Sequence, residues 1–523
     1  QPPQAAPASS PSEQPQPQPS PEPAPEQPAP APGSSAQAKA PEEKATEAKA
    51  PEQKAAPAKP DESKSRTIDR FINQTFANDT ETRSHALAAE RRFFAERVEE
   101  VLGQFVDVGG YFRAGYARDG EGGPMAAFRA PGATTKYRLG NEAENYGELI
   151  IGKSFYMPGT FHLDDNLRAD GSPAGPVARV QLRISFVNGY ESSNTASATS
   201  VGLPEAWASI GNVLPFSPDA KVWAGNRFYR RHDIHVVDFF FWNMSGGGGG
   251  IEDVKIGPAK LAFAWIGLGS TSGLSYVPQP DPTNVAGYSK SSWELRIYDL
   301  PLGPGTLEAG ITYAHSASGL DSAGRQAPDS HGVAFNVVHS IPKFLAHDGL
   351  NKLSLQYGTG AARTFTSGFE TFTQAGASYI RPEETGSYRL RATESFTTNL
   401  GPYFSLGPVL VFETTNFSDG TGQKYWVSAG ARPIVHFNQY LNIAVEGGID
   451  WTKDEGTNVS GALYKLTFAP QVAVANRFAS RPVIRAFCTL ATWNDSFVGQ
   501  VGGVDYAASN SGMNLGAQME AWW

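Results

Sequence analysis

The last eleven residues of the chain alternate between apolar positions and polar or small ones. The odd-numbered positions are apolar: Met513, Leu515, Ala517, Met519, Ala521 and Trp523. The even-numbered positions, which have the other parity, are Asn514, Gly516, Gln518, Glu520 and Trp522. A period of two predicts a β-strand with one apolar and one polar face. The length suits a tilted strand that crosses a bilayer. Trp522 is the exception on the polar face, where a large ring indicates a ligand contact.

The same alternation recurs from residue 106 onward. Examples are Tyr464, Leu466 and Phe468 against Lys465 and Thr467, Ala486, Cys488 and Leu490 against Arg485 and Thr489, and Val108, Phe112 and Ala114 against Asp107, Tyr111 and Arg113. Turn clusters at 419–422 and 454–456 separate the segments, and Gly/Ser/Asp-rich stretches near 246–250 and 267–290 predict long loops at one end of a barrel. The pattern favours an all-β transmembrane barrel. A soluble sandwich or propeller is the alternative, disfavoured by aromatics near strand ends and the lack of blade-length repeats.

The first part of the chain has a different composition. Residues 1–62 are a Pro/Ala/Glu/Lys-rich stretch that predicts a disordered linker, and 63–104 are rich in helix formers. The helical segment is either a short coiled coil between identical chains or one amphipathic helix lying on the next domain. Residues 105–523 form the barrel domain. The start QPPQAAPASS leads us to expect a processed product whose targeting segment has been removed.

Composition narrows the class of protein further. The 523 residues carry a net charge of −9, which argues against a nucleic-acid partner. We find no run of 18 apolar residues, so a helical membrane protein is disfavoured. The single cysteine, Cys488, excludes an intrachain disulfide and falls on the apolar, lipid-facing parity.

Five stretches resemble the maltoporin family of outer-membrane sugar channels and occur in the family's order. They are VDVGGYFRAG (106–115), KYRLGNEAENYGEL (136–149), WAGNRFYRRHDIHVVDFFFW (223–242), SRPVIRAF (480–487) and GAQMEAWW (516–523). The resemblance implies an eighteen-stranded antiparallel barrel, a homotrimer, in the lipid of the outer membrane of a Gram-negative bacterium. The N-terminal extension is similar, in composition, to that of the sucrose-porin branch. It implies that 1–104 lie in the periplasm, as a plain linker or as a tether to a periplasmic or cell-wall partner.

The resemblance also implies a row of aromatic rings, an aromatic slide, on which sugars stack. Its members would be Tyr111, Tyr146, Phe335, Trp426 and Trp522. Parity supports all of them except Phe335, whose segment VAFNVVHSI has no clear polar face, so that an outward-facing ring is an alternative. For the others, the alternative is a structural ring packed inside the barrel.

Charged groups opposite the slide would exchange hydrogen bonds with sugar hydroxyls. This polar track would be Arg113, Arg138, Glu148, Arg231, Asp233 and Asp238. The alternative is salt bridging within the wall, above all for Arg227 and Arg485. Residues 238–250 match the family's inward-folded constriction loop, with Phe240 where familiar maltoporins have Tyr. In the family, a loop of a neighbouring subunit contributes one further ring to the aromatic slide. The candidates for that ring in this chain are Tyr190 and Trp207.

These residues together imply facilitated diffusion of maltodextrin-type oligosaccharides, with no enzyme activity, cofactor or metal. A broader sugar or sucrose porin and a general diffusion pore are alternatives, and a structural or adhesive barrel is an alternative of another class. In RHDIH, His232 and His235 look like metal ligands, but residues three apart on a strand face opposite ways.

Overall fold

The computed structural model describes residues 106–156, 175–188, 200–269, 289–320, 326–374, 377–381 and 384–523. The linker and the helical segment predicted within 1–104 lie outside the described residues, as does Tyr190. Among the residues described, no helix combines the length and the hydropathy that would carry it across a membrane.

Eighteen antiparallel strands form one closed sheet, because β1 pairs with both β2 and β18. The strands are β1 Asp107–Asp119, β2 Asn145–Tyr156, β3 Val177–Asn188, β4 Ser200–Gly211, β5 Lys221–Arg227, β6 Gly246–Ile256, β7 Ala259–Gly269, β8 Ser289–Leu302, β9 Gly305–Ser316, β10 Ser330–Pro342, β11 Asp348–Thr359, β12 Tyr388–Asn399, β13 Phe404–Asn416, β14 Gln423–His436, β15 Leu441–Asp454, β16 Val459–Ala473, β17 Val483–Trp493 and β18 Ser511–Trp522. Closure leaves no strand edge with unpaired backbone groups, which is what a bilayer requires. The predicted eighteen-stranded barrel is confirmed.

The predicted alternation separates the two faces of the wall. On β16, Tyr464, Leu466 and Phe468 are exposed outward, whereas Lys465 and Thr467 are buried on the inner side. Cys488 shares the outer parity of β17 with the exposed Leu490. The apolar face therefore faces lipid and the polar face lines the interior.

The glycine run at 246–250 is part of strand β6, so the loop predicted there is wrong. The glycines are needed because neighbouring backbone lies very close. A Cβ on Gly248 would lie 2.1 Å from the carbonyl oxygen of Trp265, and one on Gly250 2.3 Å from that of Phe263. Glycine allows this close approach of the backbones. Because glycines have no side chains, a run of them shows no alternation of apolar and polar residues that would predict a strand.

Two long segments at one end of the barrel fold into its interior. The first inner loop, 120–144, is anchored on the β15–β16 wall: Leu139 N–H donates to Glu446, and the Leu139 carbonyl accepts from Thr467. The second inner loop, 228–245, is anchored on β11 and β12, where Gln356 and Arg391 both donate to the Phe241 carbonyl.

The second inner loop contains two short strands and a 3₁₀ turn. These are His232–Ile234, Phe239–Trp242 and His235–Val237. The loops meet where Arg138 N–H donates to the Val236 carbonyl at 3.1 Å. The two loops therefore contact each other inside the barrel.

Candidate functional site

Three aromatic rings follow one another across the strands that close the barrel. Trp522 on β18 is the direct cross-strand partner of Tyr111 on β1, and Tyr146 on β2 is the partner of Arg113. The ring centroids of Trp522 and Tyr111 are 6.4 Å apart with 18° between the planes. Those of Tyr111 and Tyr146 are 6.0 Å apart at 55°. All three side chains lie on the inner face, as their parity predicts.

Carboxylates hold the two tyrosines in place. The Tyr111 hydroxyl donates to Glu520 Oε1 at 3.0 Å, and the Tyr146 hydroxyl donates to Glu148 Oε1 at 2.6 Å. Glu148 also pairs with Arg183 of β3 at 2.5 Å. Because each hydroxyl, at the edge of its ring, is held by a hydrogen bond, the two ring faces have a fixed orientation.

The carboxylates of Glu520 and Glu142 form ion pairs with the arginines next to these rings. Glu520 pairs with Arg138 at 2.9 Å, Arg481 at 2.6 Å and Arg485 at 3.0 Å. Glu142 pairs with Arg138 at 2.6 Å and with Arg113 at 2.8 Å. Arg113, Arg138 and Arg485 are buried. Ion pairs between the first inner loop and the wall compensate their charges, as the salt-bridging alternative expects.

Glu142 stays ionised because of this cluster. Burial alone would raise the pKa of its carboxyl, but the positive charges of Arg138, Arg113 and Lys136 outweigh burial and lower the pKa to about 2. Glu142 thereby fastens the first inner loop to β1. Arg138, a predicted member of the polar track, belongs to this loop rather than to a strand.

The second inner loop presents a different set of groups. The Arg231 guanidinium lies between two rings, 3.7 Å from the Phe228 centroid and 4.5 Å from that of Phe240. It interacts electrostatically with Glu148 on β2 and with Asp233. Phe240 is 37% exposed. This part of the loop therefore faces the β2 wall that carries Tyr146.

Asp233 is half-buried, and Asp238 is exposed at the left-handed turn that follows the 3₁₀ turn, with φ of 52°. Carboxylates that are not enclosed in the arginine cluster remain able to accept hydrogen bonds from a solute. Of the predicted polar residues, Arg231, Asp233, Asp238 and Glu148 thus lie outside the arginine cluster of Glu142 and Glu520.

The two histidines of RHDIH have different partners. His232 Nε2 lies 3.2 Å from Glu308, whereas His235 lies 3.0 Å from Arg138 and 3.2 Å from Arg481. Burial and the charge of Arg138 hold the pKa of His235 well below its usual range. His235 also meets the Trp522 ring edge-on at 5.7 Å between centroids. It is therefore a neutral group beside the aromatic row.

Two predicted slide residues occupy other environments. Trp426 faces inward but is 2% exposed, because Phe239 of the second inner loop packs on it and Asp450 accepts from its indole N–H at 2.9 Å. Phe335 is 51% exposed on the outer face of β10, whereas its neighbour Asn336 is buried and accepts from Gln356 on the inner side. The structure therefore places Phe335 outward, which is the alternative that the sequence left open, and the slide position predicted for it is not met.

Several residues of this site carry no distinct sequence signal. These are Phe228, Arg183 and Arg481, of which Phe228 and Arg481 lie within the family-like stretches. Arg481 stacks on Trp522 at 4.2 Å from the ring centroid, and Arg183 on Phe228 at 4.9 Å. Folding of the connecting segments positions Phe228 and Arg481, whereas Arg183 is positioned by strand β3.

Trp207, a candidate for the aromatic lent to a neighbouring subunit, lies on β4 and is half-buried. Its indole N–H donates to Glu205 at 3.3 Å, and Arg227 stacks on its ring at 4.3 Å. Arg227 in turn pairs with Glu252 at 3.0 Å, the wall salt bridge expected as its alternative role.

Comparison with solved structures finds similarities at low sequence identity. The chain is similar to OccD3 (OpdP) of Pseudomonas aeruginosa (9% identity, TM-score 0.40, covering 80% of this chain and 91% of that one). It is similar to an anion-selective porin from Comamonas acidovorans (11%, 0.38, 79% and 99%). It is also similar to Salmonella typhi OmpF in complex with daunomycin (9%, 0.38, 80% and 97%).

The family comparison covers the whole barrel. The model of the LamB porin family matches residues 106–523, the same range in which the eighteen strands lie. A closed transmembrane barrel of this family is a diffusion channel in the outer membrane of a Gram-negative bacterium, rather than an enzyme. The chain belongs to the LamB porin family.

Proposed function

We propose that this channel passes maltodextrin-type oligosaccharides by facilitated diffusion along Trp522, Tyr111 and Tyr146. The observation that carries the proposal is the continuous row of these rings on three adjacent strands, with centroids 6.4 and 6.0 Å apart. The C–H faces of a sugar pack on aromatic planes. At these spacings one sugar ring reaches the next aromatic before it leaves the last.

Hydroxyl groups at the rim of each sugar need partners as well. Arg231, whose guanidinium lies close to the rings of Phe228 and Phe240, offers a rigid fork of donors, while Glu148, Asp233 and Asp238 offer acceptors. Weak binding at several such places lets a solute enter and leave. In this proposal Arg113 and Arg138 hold the aromatic row in position instead of contacting sugar directly.

A broader sugar or sucrose porin is the second candidate, and Phe240 favours it. A Tyr at this position would give the narrow part of the channel one more hydrogen-bonding group. With Phe240, selection relies more on ring packing, which differs less among sugars. A general pore and an adhesive or structural barrel predict no dependence on the aromatic row.

Assembly and the N-terminal segments belong to the same proposal. The family resemblance supports a homotrimer, with residues 63–104 as a helical segment in the periplasm and 1–62 as a linker to it or to a cell-wall partner. Cross-linking of the purified protein, with and without residues 1–104, tests both parts. A trimer that persists without the extension assigns assembly to the barrel alone.

Liposome swelling tests the sugar preference. Proteoliposomes are placed in isotonic maltose, maltotriose, sucrose or a non-sugar polyol of similar size, and initial swelling rates are compared. Maltodextrins faster than the size-matched polyol support the maltodextrin channel, and equal rates for sucrose support the broader porin. Rates that follow size alone would contradict both and favour a general pore.

A further inference from the structure

Two histidines stand side by side on the outer face of the barrel, away from the channel. His315 on β9 and His331 on β10 are direct cross-strand partners. The opposite parity points inward, as Thr312 shows by donating to the buried Glu294. Directly opposed residues of an antiparallel pair have Cβ atoms about 5 Å apart, so the backbone itself holds the two imidazoles together.

A carboxylate completes the group. Asp329 precedes His331 by two residues and reaches both rings: its Oδ2 lies 2.8 Å from His315 Nε2, and its Oδ1 lies 3.1 Å from His331 Nε2. The two imidazoles are stacked, 4.6 Å between centroids with 20° between the planes. One ligand atom from each of the three residues lies within 4.8 Å of the others.

We propose that His315, His331 and Asp329 bind one divalent transition-metal ion, with zinc as the best fit. Two imidazole nitrogens and one carboxylate oxygen are a ligand set that zinc accepts, and Ca²⁺ or Mg²⁺ prefers oxygen ligands alone. Three protein ligands leave a fourth position for water or for an exogenous ligand. The short N–O distances of the metal-free group widen modestly when an ion enters between them.

Tyr313 supplies the positioning that such a site needs. Its hydroxyl lies 2.6 Å from His331 Nδ1. When Nδ1 carries the proton and donates it to the Tyr313 oxygen, Nε2 presents its lone pair toward Asp329. The ligand side chains are accessible from outside, with exposed fractions of 34%, 54% and 51% for His315, His331 and Asp329.

The site is independent of the proposed sugar path. His315 lies one residue before the end of β9, and His331 is the second residue of β10, both at the barrel end that carries the inner loops. Their side chains face away from the interior. A bound metal therefore leaves the ion current unchanged, and a failed sugar test leaves the metal site untouched.

Isothermal titration of the untagged, detergent-solubilised full chain with ZnCl₂ at pH 7.5 tests the proposal. The same titration is repeated with His315→Ala, His331→Ala and Asp329→Asn, and with His347→Ala as the control. His347 is an exposed histidine in the turn between β10 and β11, at the other end of the barrel. Each variant is first shown to form channels of wild-type conductance, which establishes that the barrel has folded.

We expect one Zn²⁺ per chain, an affinity that falls about tenfold or more in the three ligand variants, and no change in His347→Ala. CaCl₂ is expected to give no comparable binding. Absence of stoichiometric binding, an affinity unaffected by His315→Ala and His331→Ala, or equal binding of Ca²⁺ would each overturn the proposal.

Discussion

The ring of Phe239 stands edge-on against the ring of Trp426, with 5.5 Å between the centroids and 67° between the planes. Phe239 belongs to the second inner loop and Trp426 to the wall, so the loop covers an indole that would otherwise face the lumen. The aromatic groups of this barrel therefore divide into a covered set that anchors the loop and an open set along β18, β1 and β2. This division gives the first prediction.

Trp522→Ala should weaken sugar binding by about 1–2 kcal/mol, because it removes an exposed ring from the row. Trp426→Ala should change sugar binding less but disturb the second inner loop, since its ring is 2% exposed and packed under Phe239. Sugar titrations of the ion current in planar bilayers measure both. Trp265→Ala, which removes an outward-facing ring of β7, is the matched control. Equal losses of sugar affinity in Trp426→Ala and Trp522→Ala would refute the division.

Phe240→Tyr should tighten sugar binding by roughly 0.5–1.5 kcal/mol, the usual contribution of one hydrogen bond. Phe240 is partly exposed beside the Arg231 guanidinium, so a hydroxyl there can reach both solute and arginine. The measurement is the dissociation constant from current block. Phe335→Tyr, which adds the same hydroxyl on the outer face, should have no effect. A change in the sugar dissociation constant of Phe335→Tyr would show that this residue lines the channel.

Glu142→Gln should loosen the first inner loop. The carboxylate is the shared partner of Arg113 and Arg138, and removing one member of a buried pair costs roughly 3–5 kcal/mol. Hydrogen exchange of amides in 120–144 should accelerate, and the open-channel current should become noisier. Glu455→Gln, which removes an exposed partner of Lys453, is the control and should do neither. Unchanged exchange in Glu142→Gln would mean that the loop is held by its backbone contacts alone.

The same residue predicts an acid transition. The pKa of Glu142 is about 2 in the folded loop, against an ordinary value of 4.5. A lowered pKa means that the ionised carboxylate stabilises the loop fully above about pH 4.5, and this stabilisation is lost as pH falls toward 2. Current noise in the wild type should therefore stay low down to pH 4.5 and rise below it. A rise already between pH 5 and 7 would disagree with this assignment.

Sugar block should be nearly constant between pH 5.5 and 8. The histidine nearest the aromatic row is His235, and burial with the charge of Arg138 keeps its pKa well below 6.5, so it stays neutral over this range. The dissociation constant should vary by less than about twofold. A step centred between pH 6 and 7 that disappears in His235→Gln would show that His235 becomes charged in the channel.

How much of this site the sequence could predict depends on the kind of contact. Tyr111, Tyr146 and Trp522 lie on strands whose alternation is clear, and a period of two places each of them on the inner face. Phe335 fails because the inner parity of β10 includes Ala334 and Val338, whose apolar side chains hide the polar face. The glycines of β6 fail for a related reason, since they have no side chains to alternate.

Loop packing was beyond what periodicity can reveal. Nothing in the spacing of Trp426 shows that Phe239 covers it, because the two are brought together by a loop with no repeating pattern. The pairing of Arg138 with Glu520 is likewise a contact between a loop and the last strand. The proposed metal-ligand group of His315, His331 and Asp329 can be found only from the strand register, because the two histidines are far apart in sequence and lie opposite each other only in the sheet.

Single-channel current block by maltodextrins of increasing length tests the central claim most directly, with wild type and Trp522→Ala compared. If sugars move along Trp522, Tyr111 and Tyr146, block saturates and tightens with each added glucose until the row is spanned. In that case Trp522→Ala weakens the longer sugars most and leaves the sugar-free conductance unchanged or higher. Block that is absent, or that neither depends on length nor responds to Trp522→Ala, would show that the aromatic row is scaffold and that the protein is a general pore.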